Sequence, residues 1–359
     1  MNPRPTFYKG AGGHENRRRR AILVALAALL VIAFILYRLR GTSFHWQRFA
    51  ATFQHVHWGW LTVSILLVFL TYLGRALRWE VMLRPLGRTP GIWKLTTDTA
   101  IGFTAVVLLG RAGEVVRPYL ISVRAGVPFS SQLAAWLLER VLDLLAVLLI
   151  FGFALTRIPA HGLALGRGLQ WVLGAGGYLV TAIGAACVVF LVLFRNFAEP
   201  VQERLLSALT FLPENHYRRI ESMLRAFSQG MESTRDLGFL GLLVAYSVAL
   251  WAVIIGCYYT LFLAFPATAG LNSTDVVVFL GFVAFGSIVQ IPGIGGGMQV
   301  VSIVVLTQIY GLGFEAATGV ALFIWLVTFV AVVPAGLVCA FHEGLNWSKL
   351  KHLQENVPL

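Results

Sequence analysis

Two stretches decide how this chain folds: Gly110-Arg111-Ala112-Gly113-Glu114-Val115-Val116-Arg117-Pro118 and Gln290-Ile291-Pro292-Gly293-Ile294-Gly295-Gly296-Gly297-Met298-Gln299. Each interrupts an apolar region and leaves flanking segments of about 10 to 16 residues, short of the roughly 20 helical residues a hydrocarbon core requires. Irregular backbone at that depth has unpaired N–H and C=O groups, so it persists only inside protein or against a water-filled cavity. Paired interruptions of this kind in corresponding halves mark a transporter's binding site.

Outward from these stretches, composition places the chain in a membrane. Its 359 residues are 58% hydrophobic and 12% charged, with a mean hydropathy of +0.77. Full spans are expected at about 21–39, 58–75, 132–156, 170–194, 237–263 and 315–341, with hairpins at about 95–123 and 276–310. The predicted fold is an all-α polytopic membrane protein with about six spanning helices and two re-entrant helical hairpins in an inverted repeat.

The net charge of +12 reads as topology rather than nucleic-acid binding, because Arg17 to Arg20 directly precede the first apolar run. If 1–20, 75–94, 111–124, 195–236 and 342–359 face the cytoplasm, they hold 22 of the 28 Lys and Arg. That asymmetry puts both termini inside and opens the two hairpins toward opposite faces. The division is then a basic cytoplasmic segment at 1–20, a transmembrane domain at 21–341, and a cytoplasmic tail at 342–359. Within the domain, 195–236 reads as a cytoplasmic amphipathic helical insert whose six basic residues match six acidic ones. The first apolar run lacks a small-residue cleavage site and is expected to stay as an anchor. Trp46, Phe49, Phe53 and Val56 share a helical face and suggest a helix in the outer interface.

Glu139, Arg140 and Asp143 fall in the apolar run Ala134 to Phe153. Ionisable groups that deep pair with one another or face a cavity. Glu139 and Asp143 share a face at i, i+4 and Arg140 reaches Asp143 at i, i+3, which leaves one carboxylate over. The first hairpin offers Arg111 and Arg117 as its partners. The alternatives are a buried ion network that pins hairpin to span and a substrate-contacting site. Glu114 either caps the second half-helix or shapes the hairpin and takes a proton. Arg111 and Arg117 suit a phosphate headgroup, because a guanidinium binds phosphate oxygens bidentately and stays charged at low dielectric.

In the second hairpin, Pro292, Gly293, Gly295, Gly296 and Gly297 expose backbone N–H groups that could cradle an anion, or serve close helix packing instead. Gln290 and Gln299 flank this turn and cannot titrate. There is no H-E-x-x-H, G-x-S-x-G, C-x-x-C or Walker motif, so no enzyme, metal or cofactor is expected.

Leu109 to Arg117, Glu139-Arg140-Val141-Leu142-Asp143 and Pro292 to Gln299 together resemble the lysylphosphatidylglycerol synthase transmembrane, or flippase-like, family from about residue 50 to 341. The family's Gly-Glu with a following Arg is matched by Gly113, Glu114 and Arg117, and its Glu-Arg by Glu139 and Arg140. Its Pro-Gly-Gly-x-Gly-x-x-Glu becomes Pro292 to Gln299, with glutamine in place of the acid, and the sequence around Ile324 and Trp325 is apolar where the family often has arginine. The resemblance implies a bacterial inner-membrane translocase of an anionic phospholipid or a polyprenyl-phosphate-linked intermediate. Arg111, Arg117 and Arg140 would hold the headgroup, and Glu114, Glu139 and Asp143 would form a buried polar network. It implies no lysyl-lipid synthesis, since no soluble transferase domain follows the last span. A non-transporting partner of a separate lipid- or glycan-modifying enzyme is the alternative.

Overall fold

The computed structural model describes residues 44–87, 89–157, 174–186, 218, 221–222, 237–287, 290–291 and 295–344. The chain divides into units 1–48 and 49–359, and the architecture below is that of the second. The expected span at 21–39, most of the insert at 195–236, Pro292 and Gly293, and nearly all of the tail lie outside the described residues.

Helix α1 covers Trp46–Ala51 and α2 covers Trp58–Leu83, followed by a 3-10 turn at Arg84–Leu86. Helix α3, Ile92–Leu109, leads through a 3-10 segment at Gly110–Val115 into α4, Val116–Ala125, and then α5, Phe129–Arg157. Helix α6 spans Gly174–Ala186. Helix α7 is Leu237–Ala264 and α8 is Ser273–Gly286. Two-residue strands, β1 at Gln290–Ile291 and β2 at Gly295–Gly296, precede α9 at Gly297–Gln308. Helix α10, Phe314–Trp325, passes through a π turn at Leu326–Val330 into α11, Val332–His342.

Among the described residues, four stretches are long and apolar enough to cross a membrane: Trp58–Leu86, Ile92–Ala125, Gly238–Ala264 and Phe314–His342. Many large apolar side chains on their outer surfaces are open, including Leu66, Val248 and Val338. Such a surface suits lipid rather than water.

The second of these stretches is not a rod. Gly110 adopts φ 66° with ψ −145°, a backbone state that a side chain disfavours, and the chain turns back there. A Cβ on Gly113 would lie 2.3 Å from the Ala105 carbonyl, and one on Gly102 would lie 2.6 Å from the Arg117 Cβ. At the open end Arg124 Nε is 3.1 Å from Asp98 Oδ1. In one continuous helix residues 98 and 124 would be about 39 Å apart, at 1.5 Å per residue. The stretch is therefore a helical hairpin.

Helices α8 and α9 make a second hairpin. A Cβ on Gly286 would meet the Gly297 carbonyl and the Val301 Cβ at 2.8 Å, while the Tyr310 hydroxyl donates to the Asp275 carbonyl at 2.7 Å. Its tip carries an antiparallel ladder pairing Gln290 with Gly296 and Ile291 with Gly295, which satisfies backbone groups that an open turn would leave bare.

The two halves interlock. Helices α2 and α7 run antiparallel, with Ser64 Oγ donating to the Cys257 carbonyl at 3.0 Å and Arg78 Nη1 to Ser247 Oγ at 3.2 Å. The first arm of each hairpin packs on the last long helix of the other half. Gly281 of α8 sits on Ile150, Phe151 and Ala154 of α5, and Gly336 of α11 sits on Ala100 and Thr104 of α3. The tips touch, with β1 lying against Gly110–Val115. One apolar cluster joins α2, α7, α8, α9 and α10, and a smaller one surrounds Trp79, Leu138 and Leu243.

One boundary needs correction. The sequence ends the second span near residue 75, whereas α2 continues to Leu83 with Arg78 fully buried. Carboxylates on α5 neutralise the arginines that broke the hydropathy pattern.

Candidate functional site

Helix α5 carries the acidic centre of the site. Glu139 is fully buried and accepts from three arginines on two helices at once. Arg78 Nη2 lies 2.6 Å from its Oε1, Arg75 Nη1 lies 3.3 Å from the same oxygen, and Arg117 Nη2 bonds to Oε2. One turn on, Asp143 receives Arg78 Nη1 at 2.8 Å and Arg75 Nη1 at 3.5 Å. Arg140 stands at 3.8 Å from Glu139 and 3.9 Å from Asp143, with its side chain 37% exposed.

Arg117 is 4% exposed and lies over the Trp79 ring, its Cζ 4.1 Å from the centroid. Trp79 is fixed in turn by donating Nε1 to Gln132 Oε1 at 2.9 Å. A guanidinium on an aromatic face keeps its charge without water on that side. Arg75 uses Phe103 in the same way at 4.8 Å. The absent Cβ of Gly102 is what lets Arg117 approach α3.

These groups form part of the wall of a cavity of about 320 Å³. Arg75, Arg111, Arg117 and Arg140 reach it, with Glu114 and Asp143 beside them. The rest is largely apolar, with Val68 and Tyr72 from α2 and Ile254 and Tyr258 from α7. Both hairpins contribute, the second through Ala284 and Ser287. The π turn supplies Thr328 and Phe329. A π turn widens a helix by one residue per turn and is frequent at functional positions.

The structure brings together most of the residues singled out in the first half of the sequence. Glu139 and Asp143 share Arg75 and Arg78, which sequence reasoning had assigned to a loop, and only Arg117 comes from the expected hairpin. Arg111 is 57% exposed and pairs with Glu114 at 3.3 Å, at the cavity wall rather than in the buried network. Glu114 does not cap a helix, because α4 starts at Val116 with Val115 before it and no side-chain cap. The signal that could have found the missing arginines was their spacing. Arg75 and Arg78, three apart, share a face with apolar residues on both sides.

In the second hairpin Gln299 Oε1 accepts the Gly296 N–H at 2.7 Å, closing the start of α9. Gly296 has φ 141°, available only to glycine without strain, and Gly297 gives the close approach to Gly286. Gln290 and Gly295 belong to the ladder, opposite Gly296 and Ile291 respectively. Among the described residues no group of three or more His, Cys, Asp or Glu is placed to hold a metal.

Interrupted apolar helices, two hairpins meeting tip to tip and a cavity walled by arginines define a multi-pass membrane protein. The chain belongs to the lysylphosphatidylglycerol synthase TM region family, whose model matches residues 22–336. Over 89 residues it is 35% identical to Glycosyltransferase AglD of Haloferax volcanii. That match covers 24% of this chain and 14% of the relative's length. No solved structure matches the chain.

Proposed function

We propose that the chain translocates an anionic phospholipid or lipid-linked intermediate across the bacterial inner membrane, with both termini cytoplasmic and without catalysing a covalent step. The observation that carries this reading is the cavity itself. Arginines line it where the tips of two hairpins meet, and its remaining wall is apolar. A phosphate headgroup matches the guanidinium forks, and an acyl or prenyl chain matches the apolar wall. Arg117 and Arg140 hold the phosphate from within and Arg111 receives it at the rim. Glu139 and Asp143 hold the arginines in place.

The hairpins act as re-entrant elements. Their first arms pack reciprocally on the far half, as an inverted repeat about an in-plane axis requires, and rocking of one half against the other would expose the cavity to each leaflet in turn. The family name supports a lipid-related role.

Purified chain, reconstituted alone into vesicles containing a fluorescent anionic lipid, should move that lipid between leaflets. The similarity to a glycosyltransferase-named protein favours a second reading, a membrane partner of a separate lipid- or glycan-modifying enzyme. Movement that appears only with a partner present would select it.

A further inference from the structure

The charges of the site do not balance among the described residues. Arg75, Arg78, Arg117 and Arg140 face two carboxylates, Glu139 and Asp143, while Arg111 and Glu114 pair with each other. Guanidinium groups do not give up their protons in proteins, so the site keeps two positive charges over. Two of the four donors are nearly sealed from solvent, with side-chain exposures of 1% for Arg78 and 4% for Arg117. Surplus positive charge beside groups so nearly sealed is costly unless an anion compensates it. Arg117 Nη1 is buried and has no hydrogen-bond partner, although its residue lines the cavity.

We propose, building on the lipid-translocation reading, that the cavity selects a lipid carrying a doubly charged phosphate, a phosphomonoester or diphosphate, over a phosphodiester headgroup. A monoester has a charge of −1.5 to −2 at pH 7, and its three terminal oxygens can reach several forks at once. A phosphodiester has one charge and leaves the other arginine unmatched. An aminoacylated headgroup, with added ammonium groups, makes the mismatch worse.

The test uses the full chain in phosphatidylcholine nanodiscs, offered phosphatidic acid or phosphatidylglycerol of identical acyl composition, with retained lipid read by native mass spectrometry. Phosphatidic acid should be favoured by about tenfold at pH 8, the scale of one added charge interaction in a screened site. The preference should shrink several-fold at pH 5, because the monoester loses its second charge near pH 6 while the diester is unchanged. Arg140→Gln removes one surplus charge at a partly exposed position, and the preference should fall toward parity.

Equal retention of both lipids at pH 8 would overturn the charge selectivity and leave lipid translocation standing. Failure to retain or move either lipid would overturn the translocation reading itself. Displacement of bound phosphatidic acid by millimolar glycerol phosphate, together with capture of that solute in its absence, would keep the selectivity and overturn the lipid as its source.

Discussion

Arg78 and Glu139, 61 residues apart in sequence, meet at 2.6 Å with both side chains closed to solvent, and this contact fixes α2 against α5. No acidic residue lies three or four positions from Arg78 on its own helix. Its only route to neutralisation is across the bundle.

Replacing Glu139 by alanine strands Arg117 and leaves Arg75 and Arg78 with Asp143 as their remaining carboxylate. Removing one partner of a buried pair costs about 3–5 kcal/mol. Thermal unfolding of the purified variant should show a large loss of stability along with loss of transport. Glu139→Asp, which keeps the charge, should retain part of both.

Arg140 is the least enclosed arginine of the cluster, so its loss should separate function from folding. Arg140→Ala should unfold near the wild-type temperature yet lose lipid movement, and Arg140→Lys should keep only part of it because the fork is gone. Normal lipid movement by folded Arg140→Ala would remove this residue from the headgroup site.

Gly113→Ala places a methyl group inside contact distance of the Ala105 backbone. Overpacking of this kind costs about 1–3 kcal/mol, and a rigid backbone neighbour puts it toward the upper end. Gly241, with nothing within 4 Å of its Cβ position, provides the control. Gly241→Ala should be neutral or slightly stabilising.

The open end of the first hairpin rests on Asp98, which is fully buried and paired with Arg124, and Arg124 also bonds to Glu343 beyond α11. Arg124→Ala should destabilise the protein by about 3 kcal/mol through the stranded carboxylate. Adding Asp98→Asn should restore much of that loss. Melting temperatures of the single and double variants check both statements, and no rescue would mean that Arg124 acts through Glu343 instead.

Gln299→Ala removes the acceptor for the Gly296 N–H and should cost about 1 kcal/mol, the value of a helix cap. Gln299→Glu keeps an acceptor and should keep the stability. Denaturant midpoints of the two variants distinguish these outcomes.

The turns were legible because Gly110, Gly113 and the glycines at 295–297 interrupt apolar segments that are too short to span on their own. Glu139, Arg140 and Asp143 were legible because charge in an apolar helix needs a reason. Arg75 and Arg78 were not, because hydropathy reads a charge as the end of a span and holds no information on carboxylates 60 residues away. The π turn at Leu326–Val330 was also invisible, since its residues are ordinary helix-forming apolar ones and its register follows from packing. The ladder at the second tip depends on pairing across a turn, which composition does not reveal.

The seam between α3 and α11 has a consequence for biogenesis. Thr104 and its neighbour Val332 are 228 positions apart, so the surface on which the first hairpin rests leaves the ribosome long after the hairpin itself. Until it arrives, α3 has α2 and α4 to rest on but not α11. The newborn chain must hold that arm sheltered, and maturation of the two halves is completed together rather than in order of synthesis.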